Sequence, residues 1–305
     1  MSEVKGSAYS LGVDLGGSSV KSVAVNGAGE VLLRRQIDFD ASADRGWAKR
    51  VGELVDQVSS ESGGYPRSIG LAAPGLASRD QRSIAFMPGR LAGLEGLDWT
   101  THLRSTLPIP VLNDAHAALL GEVWVGAAHG LRNAILITLG TGVGGAAMVD
   151  GRLLRGEIGR AGHLGHTSLD TEAAPDICGT PGSLELAIGN CTILARTHGR
   201  FSTTHALVQA HHAGDTDATR TWLASIRKLA AAIASFINIL DPAAVIIGGG
   251  IARSGEALFV PLRSAVKEME WRPGGYEVPI LPAQLGEYAG ALGAAWQGMQ
   301  LEEKK

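Results

Sequence analysis

The sequence predicts an α/β protein built from two similar halves. Short apolar runs of strand length are mixed with segments whose apolar residues recur at helical spacing. One strand–glycine turn–strand pattern also occurs twice. Leu15-Gly16 returns 124 positions later as Leu139-Gly140, and Val25-Asn26-Gly27 returns at the same offset as Val149-Asp150-Gly151. Equal spacing of this kind follows from an internal repeat. A length of 305 residues sets a prior of about two domains and is enough chain for a large core.

Composition narrows the class. Hydrophobic residues make up 45% and charged residues 19%, the balance of an ordinary globular protein. A net charge of −3 gives no sign of nucleic acid or an anionic membrane as partner. Two cysteines, Cys178 and Cys191, do not form a disulfide framework. The N-terminus has no apolar segment with a cleavage site, and the chain has no run of about 18 apolar residues. The expected location is therefore cytoplasmic. The 42 glycines cluster in loops beside apolar runs, which points to backbone approaching ligands.

The elements follow in order. Residues 8–37 read as three strands joined by two turns, with Asn26-Gly27 and Gly29 as turn signals. Trp47, Val51, Leu54, Val55 and Val58 lie at helical spacing and predict a helix. A strand over 68–73 ends at Pro74-Gly75, and another over 108–112 runs into Asn113-Asp114, which can cap a helix over 115–125. A buried strand over 132–139, a glycine loop over 140–145 and a returning strand to Val149 come next. Residues 150–182 are irregular. Helices are predicted over 183–197, 203–213 and 217–240, the last stopping at Asp241-Pro242. A buried strand over 243–247 ends in Gly248-Gly249-Gly250, followed by a helix near 255–270, a strand near 277–281 and a helix near 287–300.

Three segments can carry chemistry. In Asp14-Leu15-Gly16-Gly17-Ser18-Ser19, two glycines permit φ > 0 and close approach. Successive N–H groups in such a turn can cradle phosphate oxygens, helped by the serine hydroxyls. Asp14 can hold a metal, since Mg²⁺ takes a carboxylate together with phosphate oxygens. A plain surface hairpin explains the same residues, so this stretch alone leaves both readings open. Gly140-Thr141-Gly142-Val143-Gly144-Gly145 satisfies G-x-G-x-x-G. A dinucleotide site needs a helix directly after the glycines, and here a strand returns instead. No G-x-x-x-x-G-K-[ST] is present. Two glycine–hydroxyl hairpins fit the phosphate clamp of an actin-like ATPase better. Asp114, at a strand end, suits a base that accepts a hydroxyl proton during phosphoryl transfer, and Asn113 can bond a neighbouring hydroxyl. Taken alone, the pair reads first as a helix cap.

In this order and spacing the segments resemble the sugar kinases of the ROK family (repressors, open reading frames and kinases), from about Leu11 to Gly293. Val13-Asp14-Leu15-Gly16-Gly17-Ser18 resembles the family's first phosphate motif, and Leu139 to Gly145 its second. Asn113-Asp114-Ala115 with Gly121-Glu122 is similar to its sugar-binding and catalytic segment, and Ile246-Ile247-Gly248-Gly249-Gly250-Ile251 to its adenosine motif. The resemblance implies two α/β lobes of actin-like (ribonuclease-H-like) fold around a cleft that closes on sugar. The smaller lobe would comprise 1–112 plus 287–305 and the larger 113–286. It implies ATP-dependent phosphorylation of a hexose or related polyol, with Asp114 as general base. Asn113, His163, His166 and Glu185 would face the sugar, and Gly75 would bring backbone to it. Mg²⁺·ATP would lie against Gly16, Gly17, Ser18, Lys21, Gly140, Thr141 and Gly142, with Asp14 near the metal, through water. Gly248 and Gly249 would admit adenosine. A homodimer is implied.

The match frays between Gly162 and Glu185. The family pattern is Glu-x-Gly-His, then Cys-x-Cys-Gly-x-x-Gly-Cys-x-Glu. This chain has His163-Leu164-Gly165-His166, then Asp176-Ile177-Cys178-Gly179-Thr180-Pro181-Gly182-Ser183-Leu184-Glu185. His163 stands for the first sugar-binding glutamate. An imidazole offers one acceptor and one donor where a carboxylate accepts from two hydroxyls, so sugar selectivity should differ there. Glu157 is a second candidate for the missing carboxylate, although the downstream spacing then fails. Of the family's zinc ligands only His166 and Cys178 remain, with Asp176 and Ser183 at the other two positions. A structural zinc wants four good ligands, so no tightly held zinc is expected. Asp176 would instead bond Ser183 or backbone N–H groups. Near Pro88, where the family often has an asparagine after the proline, the chain has Gly89.

Other residues take plain readings. His205, His211 and His212 are expected to be solvated, and Trp99, Trp124 and Trp271 to pack. Cys191 is expected in the core, and His116 has at most a supporting place near the site. Two rival functions remain. A sugar-responsive repressor would need a DNA-binding domain ahead of residue 11. A catalytically weak regulatory protein of the same family would fit the altered His163 and cysteine positions.

Overall fold

The computed structural model describes residues 8–40, 46–87, 89 and 91–302. Pro88 lies outside these. The chain folds as two compact units. One comprises 1–130, 155–161 and 284–305; the other comprises 131–154 and 162–283. This division differs from the expected boundary at 112/113. Residues 113–130 stay with the first unit because their helix packs on the last helix of the chain.

In the first unit β1 (Ser10–Leu15), β2 (Ser19–Val25), β3 (Val31–Asp38), β4 (Ser68–Ala73) and, beyond the short ribbon of β5 (Leu76–Ala77) and β6 (Ile84–Phe86), β7 (Val111–Asn113) matter most. The sheet order is β3-β2-β1-β4-β7. β1 runs antiparallel to β2 and parallel to β4, and β4 runs parallel to β7. The inner strand β4 is buried along its whole length, and the edge strand β3 alternates half-buried with exposed. That is how strands covered on two faces and on one face should read. Helix α1 (Gly46–Glu61) buries Trp47, Val51, Leu54, Val55 and Val58, the predicted stripe. Trp47 meets the buried Trp99 of α2 (Trp99–His102) at 6.0 Å between rings.

Helices α3 (Asp114–Val125) and α9 (Ala289–Glu302) complete this unit. Both are small-residue helices whose backbones touch their neighbours. A Cβ on Gly12 of β1, on Gly70 of β4 or on Gly293 of α9 would overlap the carbonyl oxygen of Ala291, Ala294 or Ala117 respectively. The fully buried Glu122 of α3 accepts N–H bonds from Ala127, Gln284 and Leu285. It thereby fixes the chain that leads into α9.

The second unit repeats the plan. Its sheet contains β8 (Ala134–Leu139), β9 (Val143–Val149), β10 (Arg152–Leu153), β11 (Ala244–Gly248) and β12 (Ile280–Pro282), in the order β10-β9-β8-β11-β12. Shifting β1 and β2 by 124 positions reproduces the bounds of β8 and β9. The parallel and antiparallel pairings match as well. The repeat read from a few residues is thus a repeat of the fold.

Helices α4 (Leu184–Ile188), α5 (Ile193–Arg196), α6 (Thr204–His212), α7 (Thr216–Leu240) and α8 (Glu256–Met269) cover this sheet. α7 starts on an Asp215 cap and stops where Asp241 turns left-handed at φ 43°. It buries Trp222, Ile226, Leu229 and Ile233. By length and composition α7 could cross a membrane. Half of its apolar window is instead buried inside the protein, and Arg227 is ion-paired with Glu268 at 2.9 Å.

Three expectations are corrected. The helix predicted over 183–197 breaks after Ile188, because Gly189 adopts ψ 148° and a 3₁₀ turn over Asn190–Thr192 intervenes before α5. That break carries Cys191 out of the core to an exposed position. Trp271 does not pack; it is 72% exposed beyond the end of α8.

Candidate active site

In the first unit, the ends of β1 and β7 hold the two carboxylates. Asn113 is 5% exposed and is the N-cap of α3. Its Oδ1 accepts the N–H groups of Ala115 and His116 at 3.0 and 3.2 Å, and its Nδ2 donates to the Gly75 carbonyl at 2.9 Å. The capping reading is therefore correct for Asn113, and Asp114 is relieved of it. Asp114 stands at the first position of α3 and keeps solvent access. One carboxylate oxygen accepts the Ala115 N–H at 2.8 Å. Surrounding protein desolvates the carboxyl and raises its pKa, opposed by that N–H and by the Asn113 side chain. The solvent access limits the rise.

Asp14 lies at the end of β1. Burial pushes its carboxyl up to about 7; the Asp114 charge adds to the shift and the Lys21 ammonium opposes it. A Cβ on Gly290 of α9 would crowd the Asp14 carboxylate at 2.5 Å. Lys21, the lysine expected at the nucleotide, bonds Glu287 through its ammonium at 2.7 Å. Gly75 has φ 101°, and a Cβ there would stand 2.6 Å from the Phe86 oxygen. Only glycine lets this turn close under Asn113.

The first glycine turn differs in detail from expectation. Neither Gly16 nor Gly17 adopts positive φ. The Gly16 N–H closes the turn onto the Ser19 oxygen at 2.8 Å, while a Cβ on Gly17 would have nothing within 4 Å. Gly17 thus leaves open space above the backbone, while a Cβ on Gly16 would stand 3.2 Å from the Ser19 oxygen, so neither glycine serves by supplying an unusual conformation.

In the second unit the equivalent turn is braced from below. The Gly140 N–H bonds the Gly142 oxygen at 2.9 Å. The Asn190 and Cys191 N–H groups hold the Gly140 and Thr141 carbonyls at 3.0 and 2.8 Å. Sequence reasoning missed this brace because it ran a helix through Gly189-Asn190, a pair that in fact signals a break. Glu185 accepts the Val143 N–H at 2.9 Å, and a Cβ on Gly142 would overlap its carboxylate. Glu185 thus abuts the glycine turn. Gly249 has φ 86°, and a Cβ there would overlap the Leu139 oxygen, so the 248–250 loop lies on the end of β8.

His163 and His166 flank a short 3₁₀ turn at Leu164–His166 that packs on β9 through Gly145 and Gly165. His166 Nδ1 bonds Asp176 at 2.7 Å, and its Nε2 lies 3.5 Å from Cys178 Sγ. Both ring nitrogens therefore face the loop that follows. Asp176 also accepts N–H bonds from Cys178 and Thr180 at 2.9 and 3.0 Å, and a bond from Ser183. Burial alone would push its carboxyl up; these partners hold it below the usual carboxylate range. Ser183 itself caps α4. His166, Asp176 and Cys178 could together offer a metal three ligand atoms within 4.8 Å of one another. The fourth position is a capping hydroxyl, a poor fit for a tetrahedral structural zinc. The second-choice carboxylate, Glu157, belongs to the first unit, where it is ion-paired with Arg79 and 82% exposed.

Two copies of one strand–turn–strand unit, each heading a five-stranded mixed sheet, define a protein of the actin-like ATPase fold. Residues 10–300 match the ROK family, and the chain belongs to it. It is 33% identical to the glucokinase of Thermotoga maritima over 93% of this chain and 95% of that one. It is similar to the ROK hexokinase of Thermus thermophilus, with a TM-score of 0.85 and 28% identity over 97% of this chain and all of that one. It is also similar to the ROK glucokinase of Streptomyces griseus, solved with glucose and AMPPNP. There the TM-score is 0.80, with 27% identity over 96% of this chain and all of that one.

Proposed function

We propose that this chain is an ATP-dependent sugar kinase in which Asp114 is the general base. The observation that carries the assignment is the division of labour at the start of α3. Asn113 caps the helix, so Asp114 keeps a solvent-accessible carboxylate whose pKa is raised toward the range where a base works best. The sugar hydroxyl gives its proton to Asp114 as its oxygen bonds the γ-phosphorus; the bond from that phosphorus to the β-γ bridging oxygen breaks, and ADP leaves. The backbone at Gly75 and the remaining Nδ2 hydrogen of Asn113 orient the sugar. In the second unit His163, His166 and Glu185 are proposed to do the same, with His166 presenting itself after a shift of its bond to Asp176.

Gly16, Gly17 and Ser18 on one unit, and Gly140, Thr141 and Gly142 on the other, are proposed to take phosphate oxygens. Gly248 and Gly249 take adenosine, and Lys21 contributes charge beside Asp14. A Mg²⁺ ion suits Asp14, since a carboxylate pushed up to about 7 by burial and a like charge gains from a cation. When bound, the ion neutralises charge developing on the phosphates. The Asp176 network is proposed to replace the family's zinc. The resemblance further supports a cytoplasmic homodimer.

The test is Asp114→Asn in a coupled kinase assay across aldoses, ketoses and amino sugars. Turnover should fall by about 10²–10⁴-fold with sugar binding nearly intact. Near-normal turnover would sink the assignment, and no turnover by the unmutated chain on any sugar would favour the regulatory reading.

A further inference from the structure

The first unit carries a partly open cavity of about 70 Å³ that the proposed reaction does not use. Gln81, Leu112, His116, Arg155, Gly156 and Gly159 contribute to its lining, and all belong to that unit. A water needs ~10–15 Å³ of such space, so the cavity takes several waters or one oxyanion of phosphate size. The wall carries two donors with nothing to donate to. The Gln81 Nε2 is buried with no hydrogen-bond partner. The half-buried Arg155 side chain makes no hydrogen bond or ion pair among the described residues. A buried donor is almost always satisfied, so an orphaned one beside an unpaired, half-buried guanidinium on the same cavity wall indicates a ligand rich in acceptors.

The surrounding groups agree. Arg79 also reaches the lining, but its guanidinium is neutralised by Glu157 at 2.9 Å, leaving Arg155 as the uncompensated charge. His116 is engaged through Nε2 with the Ala161 oxygen at 3.0 Å. Desolvation lowers the pKa of Arg155, as expected of a cation lacking its counter-ion. Gln81 is held at φ 58°, a conformation non-glycine residues seldom adopt, by bonds from its N–H to Ser78 and from Val111 to its oxygen. Such strain gathers at ligand-handling positions. Gly159 at φ 85° lets the 155–161 segment approach β5, where a Cβ would stand 2.5 Å from the Ala77 oxygen.

We propose that this cavity is a subsite for a phosphate-type oxyanion, gripped by the Arg155 guanidinium and the Gln81 carboxamide. Its source is either free inorganic phosphate or the phosphoryl group of a phosphorylated sugar. Leu112 directly precedes Asn113, and His116 lies on the first turn of α3, so an occupant bears on the segment that carries Asp114.

Binding is read by thermal unfolding of the full chain without ATP or sugar, at constant ionic strength, so the outcome is independent of the kinase assignment. Inorganic phosphate should raise Tm saturably, by about 2–4 °C at ten times its Kd. Arg155→Gln and Gln81→Leu should each weaken the response at least tenfold. If Arg155→Gln fails to fold, Gln81→Leu alone decides. A hexose 6-phosphate that saturates at lower concentration than inorganic phosphate, with the same loss in the variants, assigns the sugar phosphate; the reverse order assigns free phosphate. No stabilisation by either, or an undiminished response in the folded variants, overturns the proposal.

Discussion

Burial carries the Asp14 carboxyl well away from its ordinary state. A folded pKa near 7 against an unfolded value near 4 means that the folded chain holds the proton more tightly. The stability this contributes is complete below about pH 4 and is lost as pH rises through about 7. In metal-free buffer, Asp14→Asn should therefore raise stability at pH 8 by on the order of 1–3 kcal/mol and change little at pH 4. Thermal unfolding of both proteins at the two pH values measures this, and a shift independent of pH would contradict the burial argument. Residues of this kind were only partly legible. Taken alone, Asn113-Asp114 reads first as a helix cap, and the resemblance adds the expectation of a base at Asp114; the geometry of α3 assigns the cap to Asn113. Lys21 looked available for phosphate because its partner Glu287 lies 266 positions away in the chain. The His166 imidazole turns to Asp176 and Cys178, a direction that depends on partners no spacing rule supplies.

At the level of elements, the hairpins were readable because they repeat, and α1 and α7 because a helical stripe is long and regular. The segment after Ser183 was not, since apolar residues continue through the break made by Gly189, and Cys191 keeps the helical spacing of Leu184 and Ile188 although it lies in the intervening 3₁₀ turn. The Gly and Ala content of α9 gave no stripe to read; its role lies in how closely it approaches β1, β4 and α3. Gly293→Ala should cost about 3 kcal/mol, because the added methyl meets a backbone carbonyl that cannot rotate away. A denaturant midpoint shifted by less than 1 kcal/mol would mean that the helix moves to make room. The loop around Asp176 makes its own prediction. With hydrogen bonds in place of thiolates, purified protein should contain well under one zinc per chain. Metal analysis giving about one zinc per chain would show that His166, Asp176 and Cys178 find a fourth ligand.

At the scale of the molecule, the duplicated architecture was open to a reader of the sequence, whereas the division between the units was not. Chain order suggested a cut at Asn113, but α3 is claimed by α9, whose residues arrive at the far end of the chain. This has a consequence for synthesis. The bulk of the second unit, 162–283, leaves the ribosome as one continuous piece, and its sheet and helices are all present once Pro282 has emerged. The first unit begins earlier and finishes later. Until residues 284–302 appear, Gly12 and Gly70 lack the helix that covers them, and Glu122 lacks two of the N–H groups that satisfy it. The half that is made first is thus the half that must wait, and a nascent chain stalled near Gly286 would carry a finished second unit and an open sheet that invites chaperones.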